Sequence, residues 1–473
     1  MMNIPRELLL VSFVSGACAM VVELAGARII SPYLGNTIFT WTAVIGLVLG
    51  ALSLGYYLGG TVADRYNDRK HFSTILLLAG VGTLIIPILG NFIIPFTVLL
   101  DLAVASLIAS LVLVPASIFY GMVSPYIIKL TSEKGEEGKS AGRIFSISTI
   151  GSIIGVLGTG FILIPNIALT HIFVFTGFLM IASSWIVLKK RSRILFFDLA
   201  IIAILAAFSL QMGTVSLVNG EVIHEEESAY YHIRVIDTAY HDEDARIMFL
   251  DTAPSSAEWE GEPVFRYTIK SREGYELVED PERALVIGAA AGSQVEDLKK
   301  HYPDVTVDGI EIDEKTIELG KEYFSLEDDN RTNIIIDDAR RYLKTTDSTY
   351  DIVIIDAFRG MTIPYHLATM EFLAELKGRM SDDGVIILNI ISAVEGEKSD
   401  TFVYIYNTFS TVFDNVVVMP LGENPYAVQN IVIIATDSDV SQFLENHESY
   451  EGEIPAVDPL TDELNPIDIY IVR

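Results

Sequence analysis

The sequence predicts an α-helical membrane bundle of about seven spans, followed by an α/β unit made of a small β subdomain and a doubly wound, mostly parallel sheet. Three observations carry this. The 473 residues are 51% hydrophobic with a mean hydropathy of +0.41, too apolar for an ordinary soluble chain and long enough for two or three domains. Long apolar runs crowd the first 213 residues. Beyond them, short strands rich in β-branched residues alternate with helical stretches, the rhythm of a parallel sheet covered on both faces.

A helix needs about 20 apolar residues to cross a hydrocarbon core, and seven runs meet this: 8–30, 38–62, 72–94, 95–120, 144–164, 168–188 and 194–212. The first lacks a small-x-small cleavage site, so it reads as a retained helix and not as a signal peptide. Small residues recur at four-residue spacing, as in Gly46 and Gly50, Gly55 and Gly59, and Gly151 and Gly155, which allows close backbone approach between lipid-embedded helices. Glu23 and Arg28 fall within the first run and Asp101 within the fourth, where a charge marks either an internal pair or a site. Basic residues follow the second, fourth and sixth runs, from Arg65 to Lys70, Lys129 to Arg143 and Lys189 to Arg193. The positive-inside rule then makes the chain a multi-pass plasma-membrane protein with a cytoplasmic N-terminus. An odd span count places the C-terminal unit outside; if 194–212, which holds Asp198, does not span, that unit returns to the cytosol.

Charge divides the chain at the same point. Residues 1–213 carry 13 basic against 9 acidic side chains and residues 214–473 carry 19 against 53, which accounts for the net charge of −30. So acidic a unit repels nucleic acid, and its expected partners are the lipid bilayer and a small nucleophile such as an amine. A homo-oligomer is compatible with this. Cys18 is the single cysteine, so neither an intrachain disulfide nor a cysteine-based zinc site can form, and no metal is expected at the acidic runs near His224 and His241.

The expected domains are 1–213 (helical), 214–275 (β subdomain, with strands at 231–237 and 246–250), 276–436 (sheet) and 437–473 (an acidic, proline-containing and loosely structured tail). Strands are expected at 284–287, 305–312, 333–336, 351–355 and 385–390, closed by a hairpin of 416–419 and 430–435. In such sheets ligands sit beyond the carboxyl ends of the strands. The first strand runs into Gly288-Ala289-Ala290-Ala291-Gly292, small residues that let a cofactor touch backbone, and Ser293 with Glu296 reads as a capping box. About twenty residues on, Glu311 ends the second strand, where a carboxylate can accept both ribose hydroxyls. Asp338, followed by Ala339, ends the third and can receive an adenine amino group. Asp356 ends the fourth, placed to orient an amine and take its proton. A single strand-end aspartate is often only a helix cap; four correctly ordered strand ends point to a nucleoside.

These motifs, together with Glu227-Ser228-Ala229-Tyr230, Asp356-Ala357-Phe358, Ile363-Pro364-Tyr365-His366-Leu367, Thr369-Met370-Glu371-Phe372 and Leu460-Thr461-Asp462, resemble the spermidine synthase family and its membrane-fused branch over residues 225–470. Gly60-Thr61-Val62-Ala63-Asp64-Arg65 resembles a loop of major facilitator transporters. The resemblance implies a seven-stranded Rossmann-like sheet of the S-adenosylmethionine-transferase type, with Gly288, Ala290, Gly292, Glu311, Asp338 and Ala339 at the cofactor, Asp356 as base, and Tyr230, Tyr231, Arg359 and His366 near the substrate. There are departures. The aspartate expected in the glycine turn is Ala291, the glutamine positions are Tyr231 and Ser255, and Arg266 and Arg359 stand where like charge would repel a polyamine if they face the pocket. From these the first expectation is transfer of a methyl or related group from S-adenosylmethionine itself. The alternatives are aminopropyl transfer from decarboxylated S-adenosylmethionine, and a non-catalytic nucleoside sensor capping a transport-like bundle.

Overall fold

The structure is a computed structural model describing residues 4–35, 37–97, 100–131, 137–188, 220–241, 243–357 and 363–467. It divides into two compact units, Met1–Leu217 and Val218–Arg473.

Among the described residues the first unit holds six helices long and apolar enough to cross a membrane: α1 Arg6–Leu34, α2 Ile38–Arg65, α3 Arg69–Thr97, α4 Leu102–Thr131, α5 Gly138–Asn166 and α6 Leu169–Leu188. The seventh expected span, 194–212, lies outside the described residues. The boundary expected at Pro95 is displaced: α3 runs on to Thr97, and Asp101 caps α4 by accepting from the N–H groups of Ala103 and Val104 at 3.1 and 3.3 Å. Its carboxylate is therefore a helix cap and not a charge inside a span. Close crossings depend on glycine. A Cβ on Gly151 would stand 2.1 Å from the carbonyl oxygen of Phe13 in α1, and one on Gly55 2.2 Å from that of Ile118 in α4. Gly46 and Gly50 differ from expectation, facing open space with nothing within 4 Å. At one end of the bundle Arg69 pairs with Glu7 at 3.2 Å and Lys129 with Asp64, so the transporter-like loop serves here as an ion-paired helix connection.

The second unit begins with five antiparallel strands in sequential order: β1 Glu221–Glu227, β2 His232–Tyr240, β3 Glu243–Leu250, β4 Ala253–Trp259 and β5 Glu262–Pro263. After α7 (Arg266–Tyr275) comes a seven-stranded sheet of β6 Arg283–Ile287, β7 Thr306–Glu311, β8 Thr332–Ile336, β9 Tyr350–Ile355, β10 Met380–Ser392, β11 Asn415–Pro420 and β12 Gln429–Thr436. Its spatial order is β11-β12-β10-β9-β6-β7-β8. The strands from β6 to β10 are parallel, while β12 runs antiparallel to both β10 and β11, the expected closing hairpin. Both faces are covered. Ile287, Val353 and Phe372 belong to the apolar layer on one side and Val286, Ile354 and Leu298 to that on the other, so the central strands read as continuous hydrophobic runs. Strand order reverses at β6, between β7 and β9, and ligands are bound at such a switch point.

Two local expectations fail. The N-cap of α8 (Ser293–His301) is Gly292, in the left-handed region at φ 88°, and Ser293 makes no capping bond; Glu296 pairs instead with Lys299 at 2.8 Å. The C-terminal stretch is not loose either. Leu460 and Ile467 are 1% and 0% exposed and join the core, because single apolar residues spaced through an acidic segment suffice to dock it.

Candidate active site

Backbone hydrogen bonds lace four strand ends into one rim. Gly288 N–H donates to Ile310 at 2.9 Å, Asp337 N–H to Glu311 at 3.1 Å, and Asp356 N–H to Ile287 at 2.8 Å. The turns after β6, β7, β8 and β9 are thus neighbours.

The turn after β6 is shaped by left-handed residues, Gly288 at φ 86°, Ala290 at 46° and Gly292 at 88°. A Cβ on Gly288 would lie 2.6 Å from the Asp356 carbonyl oxygen, so only glycine permits the approach. At Ala290 the conformation costs about 1 kcal/mol or more, and it points the Ala290 N–H at Glu311 Oε2, 3.0 Å away. Glu311 Oε1 accepts from Ile312 and Asp313 N–H at 2.9 and 3.2 Å. Burial outweighs these donors and pushes the carboxyl up to about 7. Two oxygens offer about four acceptor sites, and with three N–H groups already held one stays open to a ribose hydroxyl.

Asp338 caps the helix Ala339–Leu343 through Arg341 N–H at 3.0 Å and meets His366 Nε2 at 2.8 Å. Burial would raise its pKa, but those donors prevail and hold it below the usual carboxylate range. Asp338 and His366 therefore form a single unit.

Asp356 stands at a small hollow whose lining includes Ser256, Tyr267, Gly288, Ala290, Ser293 and Gln294. Desolvation pushes its pKa up to about 6, against the Tyr267 hydroxyl, which donates to Oδ2 at 3.0 Å, and the nearby amides of Asn389 and Gln294. Both amides oppose the rise as weak hydrogen-bond partners of the carboxylate. Both oxygen and nitrogen of Gln294, Asn389 Oδ1 and Ser293 Oγ are nonetheless buried without a hydrogen bond of good geometry among the described residues. Orphaned polar atoms around a half-buried carboxylate fit a polar ligand.

Of the expected substrate residues, Tyr231 packs against the apolar cluster that includes Ala291 and Tyr230 is 37% exposed; the backbone N–H of each donates to Ser228 Oγ, which itself donates to Asp313. Arg359 lies outside the described residues. Arg266 is exposed and does not line the hollow, so the repulsion expected from it is not exerted there. Tyr267, Gln294 and Asn389 escaped the sequence reading, because only the fold brings α7, α8 and β10 to Asp356. Among the described residues no three histidine, cysteine or acidic side chains converge to hold a metal.

A family model for the spermine/spermidine synthase domain matches residues 273–442, which span this rim. The second unit carries a spermidine synthase domain. Its relatives include a polyamine aminopropyltransferase of Vibrio vulnificus, 28% identical over 221 residues, 44% of this chain and 73% of the relative. Polyamine aminopropyltransferase 2 of Aquifex aeolicus is 23% identical over 410 residues, 82% of this chain and 79% of the relative, so the similarity runs beyond the synthase domain into the helical unit. Among solved structures, spermidine synthase from Thermotoga maritima aligns with 53% of this chain and 84% of its own at 20% identity and a TM-score of 0.39. A probable spermidine synthase from Corynebacterium glutamicum aligns with 47% and 81% at 20% identity and 0.41.

Proposed function

We propose that the synthase domain moves the aminopropyl group of decarboxylated S-adenosylmethionine onto a primary amine, and that the helical unit holds it at a membrane. The observation that carries this is the laced rim: a glycine turn, a ribose-accepting Glu311, Asp338 for the base and Asp356 at the lip. The relatives' names favour aminopropyl over methyl transfer, the first expectation from the sequence, and the position of exposed Arg266 outside the hollow removes one of that expectation's supports.

The donor supplies an electrophilic carbon on a positively charged sulfur. Gly288 and Ala290 present backbone to the nucleoside, Glu311 takes the ribose hydroxyls, and Asp338 with His366 faces the adenine edge. Asp356 orients the acceptor amine in line with the carbon–sulfur bond. As the nitrogen–carbon bond forms, the carbon–sulfur pair returns to sulfur, leaving a neutral thioether nucleoside, and the ammonium proton passes to the Asp356 carboxylate. Tyr267 and Asn389 hold that carboxylate in place.

Incubation of the full chain with putrescine and decarboxylated donor, followed by mass spectrometry, should yield methylthioadenosine and an amine longer by one aminopropyl group. Asp356→Asn should lower turnover about 10²- to 10⁴-fold while donor binding persists. A methylated amine formed from intact S-adenosylmethionine, with no aminopropyl product, would overturn the proposal. A nucleoside sensor would be indifferent to Asp356→Asn.

A further inference from the structure

Gln294 is the second residue of α8 and only 5% exposed, yet neither atom of its amide makes a hydrogen bond of good geometry among the described residues, although the amide lies near enough to Asp356 to oppose the rise of its pKa. Ser293 Oγ beside it is equally unsatisfied. Buried amides and hydroxyls are paired in the great majority of folded proteins, so an adjacent pair left open inside a ligand hollow marks where a ligand bonds. The position narrows the ligand. Gln294 lines the hollow with both the glycine turn, where the nucleoside is proposed to sit, and Asp356, where chemistry is proposed. A chain leaving the nucleoside sulfur toward Asp356 passes it.

Charge decides what the chain carries. Asp356 is the one ionisable acid or base among the described lining residues, tyrosine aside, and neighbouring Ala291 is buried and uncharged. A carboxylate entering here would meet Asp356 with no lysine, arginine or histidine among the described lining residues to offset it. A primary ammonium has three N–H donors, and Gln294 Oε1 and Ser293 Oγ are two open acceptors for it, which leaves the Asp356 carboxylate to the acceptor amine.

We infer that Gln294 is a specificity-determining residue that, with Ser293, accepts the terminal ammonium of the transferred aminopropyl chain, so that a neutral amide and not a second carboxylate selects the decarboxylated donor. This rests on the proposed aminopropyl reading. It predicts an advantage of a donor bearing a lone amine over one that also bears a carboxylate.

The test compares two neutral thioether nucleosides by calorimetry on the full chain: methylthioadenosine, and its analogue with aminopropyl in place of methyl. The native protein should favour the aminopropyl compound by about tenfold or more, the scale of a hydrogen bond to a charged group. Gln294→Leu should erase the preference while methylthioadenosine still binds, which also reports that the variant folds; Gln294→Glu should keep or increase it. An undiminished preference in Gln294→Leu, a preference lost in Gln294→Glu, or equal binding of the two compounds by the native protein would overturn the inference. Binding of neither nucleoside by the native protein would instead overturn the proposed function beneath it.

Discussion

In the proposed reaction Asp356 faces two demands that pull against each other: it is sheltered enough for its proton affinity to rise, yet it would have to be ionised to receive a proton from the amine. With its pKa pushed up to about 6, the acid limb of activity moves upward from the ordinary carboxyl range. Activity is therefore expected to disappear as pH falls through about 6, not through about 4. Measured as kcat/KM for the donor at low amine concentration, the profile should drop about tenfold per pH unit below that point; a profile flat down to pH 5 would exclude Asp356 as the base. At this scale the sequence was legible wherever a candidate residue ends a strand, because in a doubly wound sheet the carboxyl ends of the parallel strands face the same rim. Gly288, Glu311, Asp338 and Asp356 could be chosen that way. Tyr267, Gln294 and Asn389 could not, since nothing in their local spacing says that three separate elements meet at one carboxylate.

The element scale shows how an acidic composition conceals structure. The segment after the helix Ser441–Asn446 contains enough acid and proline to read as a loose tail, yet Leu460 and Ile467 anchor it in the core. Asp462 then reaches Arg340 at 2.7 Å and Thr369 Oγ1 at 2.9 Å, while Asn465 donates to the Tyr365 carbonyl at 2.7 Å. Arg340 also pairs with Glu375 at 2.9 Å and donates to the His366 carbonyl at 3.3 Å. The segment thereby clamps the turn that sets His366 against Asp338. Asp462→Ala should destabilise the synthase domain by about 1 kcal/mol, a modest figure because the carboxylate is half exposed. It should also weaken methylthioadenosine binding severalfold, as the His366 turn loosens. Thermal unfolding and calorimetry together check this, and an unchanged nucleoside affinity would reduce the clamp to a purely structural one. The capping box failed for a similar reason: Ser293 and Glu296 have the right spacing, but left-handed Gly292 takes over the N-cap position.

At the scale of the whole molecule, the division between an apolar helical half and an acidic α/β half was plain from hydropathy and charge, because each half obeys the demands of a different solvent. Six of the seven expected spans correspond to described helices, with the join between the third and fourth moved from Pro95 to the cap at Asp101. The side of a membrane on which the synthase domain would lie was not legible, since it turns on one segment, 194–212, whose hydropathy is interrupted by Asp198. The synthase domain holds the entire candidate site, and so the account rests on how that rim receives a nucleoside. The most direct measurement is an experimental structure of the full chain with methylthioadenosine. It should show the ribose hydroxyls on Glu311, the adenine edge against Asp338 and His366, and the thioether sulfur turned toward Asp356 and Gln294. A nucleoside bound away from Glu311, or with its sulfur turned from Asp356, would contradict it.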